Sequence, residues 1–396
     1  MANSPSNATP APEAYFIEPL DVLVFRGNKL FGSPGSYGEN LMPPWPSVVA
    51  GALRTHILDR AGVPLPEFMR QANDPRGTYG SESVVKSLGT VAHPGTFAVL
   101  GFSLGRRRKE GRVERLFPLP QDLFVVSKGE KTYEVIPVKP FPLDKMSGVS
   151  TSAPLPYLGG LALREQSKGK SGLFLTEKGF MDYLAGRLPS PEELVPHSEL
   201  WEIDLRVGIG MDPERRMAAD GALFSSETIS LKKDVGFVVE VAGAAGLIAD
   251  QAILRLGGDG RGAHMKRIPE GLAPFPAPPS SERVRVVLTT PGLFSEGSLP
   301  MAVAESRPLW SSGPPVCLLS AALGRGQTVS GWDMARHAPK LARKTVPTGS
   351  VFWCEVVAGS PAVSGGVRAG ISLDETLSSD RVAEGYNRAV LAPWFA

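Results

Sequence analysis

No apolar run in this sequence goes far before a glycine or a proline interrupts it. "YFIEPLDVLVFR" (15–26), "GTFAVLGFSLG" (95–105) and "VGFVVEVAG" (235–243) are separated by stretches rich in both. The 44 glycines and 37 prolines together make about a fifth of the 396 residues, against roughly 12% in an average chain. They are dispersed between apolar stretches instead of forming one tract. That pattern implies short strands joined by long, shaped loops, and loops of that kind carry function.

The strand expectation can be followed along the chain. "YFIEPLDVLVFR" alternates and is rich in Phe, Ile, Leu and Val, which predicts a first strand. "PPWPSVVAGALRTHILDRAG" (43–62) predicts a helix: a proline suits the first turn, Val49, Leu53 and Ile57 share one face, and Gly62 follows the end. "GTFAVLGFSLG" and "ERLFPLPQDLFVVSK" add strands across the basic run "RRRKEGR" (106–112). Residues 137–200 are broken by prolines and read as an insertion with one helix near "TEKGFMDYLAG" (176–186). "IDLRVGIGMD", "GALFSSETISL" and "VGFVVEVAG" return to strands between 203 and 243.

A five-proline stretch, "PEGLAPFPAPPSSE" (269–282), is the best candidate for a linker. Beyond it "RVRVVLTTPGLF" reads as a strand, "PPVCLLSAALGR" (314–325) as a short helix, and "QTVSGWD" and "TVPTGSVFWCEVV" as strands, with "RVAEGYNRAVLAPWF" (381–395) closing. Strand–helix–strand–strand thus occurs twice. The expected fold class is α+β: tandem ferredoxin-like (RRM-like) domains with long glycine-rich loops, one over 14–268 and one over 283–396. Many such sheets handle RNA, although fold alone does not establish function.

Bulk properties narrow the class. The formal net charge is only +2, so any electrostatic footprint for a polyanion must be local. Cys317 and Cys354 are the only cysteines, which excludes a zinc ribbon and a disulfide framework. Residues 1–13 are small, polar and proline-bearing, with neither a basic nor an apolar signal region, and read as a disordered tail. No apolar run reaches membrane-spanning length, so a cytoplasmic protein without a membrane partner is expected.

The richest motif is "RLGGDGRGAHMKR" (255–267). As a two-metal palm loop it fails, because Gly260 stands where a second acid is needed beside Asp259. As a metal-free ribonuclease it offers His264 as acid or base, with Arg261 or Lys266 beside it, but no partner acid at a meaningful spacing. As a phosphate cradle it offers Gly257, Gly258, Gly260 and Gly262 for close backbone approach, with Arg255, Arg261, Lys266 and Arg267 as cations. The alternative is a tight hairpin turn with a solvated basic flank. Other phosphate motifs are absent: "GKS" (169–171) has Arg164 where a P-loop needs glycine, and "GIGMDP" has Pro213 where a dinucleotide loop needs its third. No cofactor and no metal is indicated. His56, next to Leu53 on the helix, reads as a core histidine. "GRRRKEGRVER" (105–115) packs six cations and two acids onto a hairpin tip. "RGQTVSGWDMARHAPKLARK" (325–344) sets Arg336, Lys340 and Arg343 around Trp332, which reads as core more readily than as a stacking platform.

Seven stretches in one order resemble a known family. "YFIEPLDVLVFR", "PPWPSVVAGALRT", "VGIGMDPERRMAADGALFSSETISLKKDVGFVVEVAG", "LRLGGDGRG", "LTTPGLF", "SGWD" and "VPTGSVF" are similar to the third-numbered Cmr subunits of type III-B CRISPR effector complexes, within the RAMP superfamily. The resemblance implies a non-catalytic subunit that holds the 5′ repeat-derived tag of the CRISPR RNA (crRNA). It would dock the polymerase/cyclase-like large subunit and adjoin the backbone RAMP subunit. It also implies RNA contact from the loop after the first strand, with Arg26, Lys29 and Tyr37, and from a projecting hairpin bearing Lys232 and Lys233. "GYNRAVLAPW" lacks the glycine-dense ending common in that family.

Overall fold

Strand β1 (Glu13–Pro19) shows why this sequence makes sheets: Tyr15 and Ile17 point into one core, Ala14 and Phe16 into another, and all four are buried. The computed structural model describes residues 11–25, 37–38, 41–129, 132–151, 154–163, 167–212, 214–277, 280–295, 297–301, 305–311, 313–363, 370–373 and 379–395, of which 37–38, 219–224, 259, 379 and 380 are described by backbone alone. β1 ends earlier than the expected 26. Pro19 cannot extend the ladder, so the chain turns away after Leu20 donates its N–H to the Gly262 carbonyl.

Helix α1 (Pro46–Arg60) forms as expected, with Pro46 in the first turn, Val49, Leu53 and Ile57 buried, and Gly62 at φ +65 just beyond. His56 accepts the Ala249 N–H through Nε2, and burial lowers its pKa. Two short helices were not foreseen, α2 (Leu65–Ala72) and α3 (Glu82–Leu88). Strands β2 (Ala98–Arg107) and β3 (Val113–Pro118) make the basic hairpin, and β4 (Leu123–Gly129) pairs with β5 (Thr132–Pro137).

The expected insertion is woven into the main sheet. Its strands β6 (Leu173–Thr176) and β7 (Leu194–Pro196) extend the edge beyond β3. Between them α4 (Glu177–Leu184) starts at Thr176, whose hydroxyl accepts the Gly179 N–H at 3.1 Å. Then β8 (Trp201–Asp212) and β9 (Met217–Leu231) form a long hairpin, on which Ile203, Leu205, Val207, Ile209 and Met211 stand exposed on one face. β10 (Val235–Ala242), β11 (Gln251–Arg255) and β12 (Gly262–Arg267) complete an eight-stranded sheet ordered β7-β6-β3-β2-β10-β1-β12-β11.

A second, six-stranded sheet contains β13 (Arg283–Leu288), β14 (Pro315–Ala322), β15 (Val351–Val356) and β16 (Arg388–Pro393) in the order β14-β15-β13-β16, with a two-residue strand on each edge. The expected helix at 314–325 is therefore a strand. A short buried apolar run has no periodicity that separates the two, and here Val316 and Leu318 pack under β15 with a bulge after Leu318. Helix α5 (Ser379–Ala383) precedes β16. The coarse expectation of a mixed, sheet-dominated chain with few helices holds.

The sheets share a pattern and exchange helices. Numbering each core by chain order, β2-β10-β1-β12 and β14-β15-β13-β16 both read second, third, first, fourth. Between first and second strands the first sheet carries α1; between third and fourth the second sheet carries α5. Helix α4, from the first part of the chain, packs Tyr183 and Leu184 among Val287, Val390 and Ala392 of the second sheet. In return the segment after α5 lies on β2, where Arg388 Nε donates to the Val99 carbonyl at 3.1 Å. The proline-rich stretch is laid down between them: Phe275 packs with Phe117 and Phe180, and Arg115 donates to the Ala273 carbonyl at 2.5 Å.

At the centre of this contact Arg285 and Asp122 form a fully buried ion pair at 2.6 Å. Tyr183 donates its hydroxyl proton to the other oxygen of Asp122 at 2.7 Å, and the Phe395 ring lies 3.8 Å from the guanidinium. Burial raises the Asp122 pKa despite the neighbouring arginine.

Candidate nucleic-acid interface

The glycine loop is a hairpin turn between β11 and β12, closed by the Leu256 N–H on the Arg261 carbonyl at 2.8 Å. Gly257 and Gly260 adopt φ +76 and +62, the left-handed region that favours glycine. At Gly257 a Cβ would lie 2.8 Å from the Val24 carbonyl oxygen, so the chain after β1 passes directly against the loop. The Gly258 N–H donates to that same carbonyl. Two of the amides that an anion would need are thus bonded within the protein. Asp259 is described by backbone alone.

The cations around the loop divide. Arg261 pairs with Asp21 at 3.0 Å, and Arg267 with Glu13 and Asp250 at 3.2 and 3.3 Å. Arg255 and Lys266 are exposed and have no carboxylate partner among the described residues. Along β12, Ala263 and Met265 enter the core, while Gly262, His264 and Lys266 face the other way. His264 lies opposite Glu18 of β1, whose carboxylate binds Arg107.

The other expected contacts are scattered. Arg26 and Lys29 lie outside the described residues, and the Tyr37 backbone pairs with Ser225 of β9. Lys232 binds Glu202, while Lys233 is exposed. On the basic hairpin, Arg106 and Arg108 bind Glu114, Arg107 binds Glu18, and Arg112 and Arg115 bind Glu177, so five of six cations are matched. Lys340 binds the buried Glu384, Arg336 is exposed, and Arg343 sits half-buried on a two-residue strand facing Thr328–Val329. Trp332 is 49% exposed, contrary to the core reading, and meets His337 edge to face at 5.3 Å. Its two-residue strand is held at the surface by pairing with Ala338–Pro339.

A larger feature escaped the sequence. Between the two sheets opens a cleft of about 620 Å³ whose lining, among the described residues, contains no aspartate or glutamate. Its cations are Lys170 and Arg325, both exposed and without a carboxylate among the described residues. Half-buried Phe124 lines it, and in its wall the buried Phe174 and Trp201 meet edge to face at 5.5 Å, with His197 tilted against Trp201 at 5.4 Å. Gln121, Gln327 and Thr348 add neutral donors and acceptors. Leu41, on the same wall, donates to the Phe25 carbonyl, which links the cleft to the stretch that passes the glycine loop. Rings, neutral hydrogen-bonding groups and unopposed cations are what a single nucleic-acid strand needs. The cleft draws on chain segments from 41 to 348, so no local motif announces it; Lys170 sits in "GKS", which the sequence offered only as a failed P-loop.

Comparison with known proteins agrees with the resemblance in the sequence. The family of the CRISPR-associated protein Cas_Cmr3 matches residues 15–394, nearly the whole chain. This chain belongs to that family, the Cmr3 subunits of type III-B CRISPR effectors. No curated protein matches it. Among solved structures it is similar to a chain of the type III-B Cmr-beta complex bound to cognate target RNA, at 16% identity over 86% of each chain with a TM-score of 0.44. It is also similar to a chain of the Csm3–Csm4 subcomplex of a type III-A interference complex, at 9% identity over 97% of this chain and 100% of that one, with a TM-score of 0.36.

Proposed function

We propose that this chain is a non-catalytic RNA-binding subunit of a cytoplasmic type III-B effector. It grips the 5′ tag of the crRNA and seats the polymerase/cyclase-like large subunit beside the backbone RAMP subunit. The common strand order of the two cores supports reading them as ferredoxin-like, RRM-type units joined through 269–282. The observation that carries the RNA reading is the cleft with exposed Lys170 and Arg325, whose described lining residues include no carboxylate. About four phosphate contacts to a single strand give a log–log salt slope near −3. Tag RNA binding, followed by fluorescence anisotropy in chelator, should show that slope. Lys170→Glu with Arg325→Glu should weaken it at least tenfold (~1.4 kcal/mol). Unchanged affinity in that variant would remove the cleft from the reading.

One observation favours a second reading, a metal-independent endoribonuclease acting through His264. An acid absent from its sequence neighbourhood, Glu18, stands in register with it across the sheet, its carboxylate bound to Arg107. Under the binding reading the protein leaves repeat RNA intact in chelator. A specific cut that His264→Ala abolishes would establish the enzyme instead.

A further inference from the structure

A second hollow, of about 390 Å³, lies between α1, α2 and the turn-bearing segment 331–340. We propose that it is a docking groove for an acidic amphipathic helix of a partner protein. The inference rests on the reading of this chain as a subunit with protein neighbours, and adds the surface and the chemistry of the contact.

The floor is aliphatic. Val48, Leu58, Leu65 and Leu88 line it, and exposed Met334 and Val91 stand at its mouth. Aliphatic side chains offer nothing for a base to stack on, and the two aromatic rings are already engaged: Phe68 edge to face with Tyr79, Trp332 with His337. Such a floor suits the apolar face of a helix, and methionine adapts to what it meets.

Cations outnumber carboxylates around the groove, with Arg381 and Glu384 buried beneath the surface. Arg54, Arg336, Lys340 and Arg381 stand against Asp333 and Glu384. Glu384, 3% exposed, collects Lys340, Arg381 and Arg54. A modest positive excess over an apolar floor complements a few carboxylates bordering an apolar stripe; it is a weak match for a polyanion. The walls are also fixed before anything binds. Asn73 donates to the Ala335 carbonyl at 2.5 Å, and Arg381 donates to the Ser330 and Leu341 carbonyls at 2.9 and 3.3 Å. Preorganised walls reduce the ordering cost of association.

The test uses the complex reconstituted from its separate subunits and guide RNA, with a photo-crosslinking amino acid at position 334. The expected product joins this chain to a protein subunit, through a peptide of net negative charge and helical apolar spacing. Met334→Glu with Val91→Glu, both at the surface, should weaken entry into the complex about tenfold or more. The isolated variant should keep the wild-type melting curve and its affinity for tag RNA. Crosslinking to RNA alone, no crosslink in a complex that contains this chain, or normal assembly of the double variant would each overturn the groove assignment. If the wild-type chain fails to enter the complex at all, the subunit reading falls first and the groove with it.

Discussion

Asp122 and Arg285 bring two formal charges into a place with no solvent. Such a pair is a poor source of net stability, because desolvation opposes the attraction between the partners. The raised pKa of Asp122 has the same cause. Cutting the pair in half is a different matter. Asp122→Asn leaves the guanidinium buried beside Tyr183 and Phe395 without a counter-charge, and should cost about 3–5 kcal/mol. Replacing both partners with apolar residues, Asp122→Leu with Arg285→Met, should cost much less. Denaturant midpoints of the three proteins check the contrast, and equal losses in single and double variants would contradict it. The glycine loop teaches the complementary lesson. Its glycines looked like an invitation to phosphate, but Gly257 is at least partly there for the neighbouring Val24 carbonyl.

At the scale of elements, the β8–β9 hairpin is lightly embedded: its described side chains from 202 to 218 are all exposed or half-buried. Its apolar stripe is exposed, so removing it should sacrifice little of the core. Replacing 207–225 with a two-residue Asn-Gly turn should change stability by no more than about 1 kcal/mol, since substitutions away from buried features stay small. Thermal unfolding measures this directly. The contrast between elements also shows what the sequence could and could not reveal. Helix α1 was legible because proline, a 3.6-residue stripe and a closing glycine all agreed. Strand β14 was misread because eight apolar and small residues between turns, four of them buried, fit either state, and only the pairing with β15 decides. Among the site residues, the cations of the basic hairpin were legible as charge. Two of them pair with Glu114 of the same hairpin, but Glu18 and Glu177, which bind the other three, come from β1 and the first residue of α4, beyond any local window. The inter-sheet cleft was hidden for the same reason.

For the whole molecule the decisive feature is the reciprocal placement of α4 and the segment around α5. Helix α4 bridges both sheets, Phe180 on Phe117 of its own and Tyr183 and Leu184 on the second, while the segment around α5 reaches β2 of the first. A protein cut in the proline-rich stretch should therefore yield two fragments that each expose an apolar sheet face, and both should aggregate when made alone. Made together, they should recover a soluble pair. The intact chain should melt in one calorimetric transition with equal van't Hoff and calorimetric enthalpies. Two resolved transitions would argue against this coupling.

That arrangement also bears on how such a protein comes off the ribosome. Because Tyr183 and Leu184 of α4 pack against β13 and β16, one face of that helix stays uncovered until the last residues emerge. A ribosome-bound chain therefore carries that uncovered apolar face until synthesis is nearly finished.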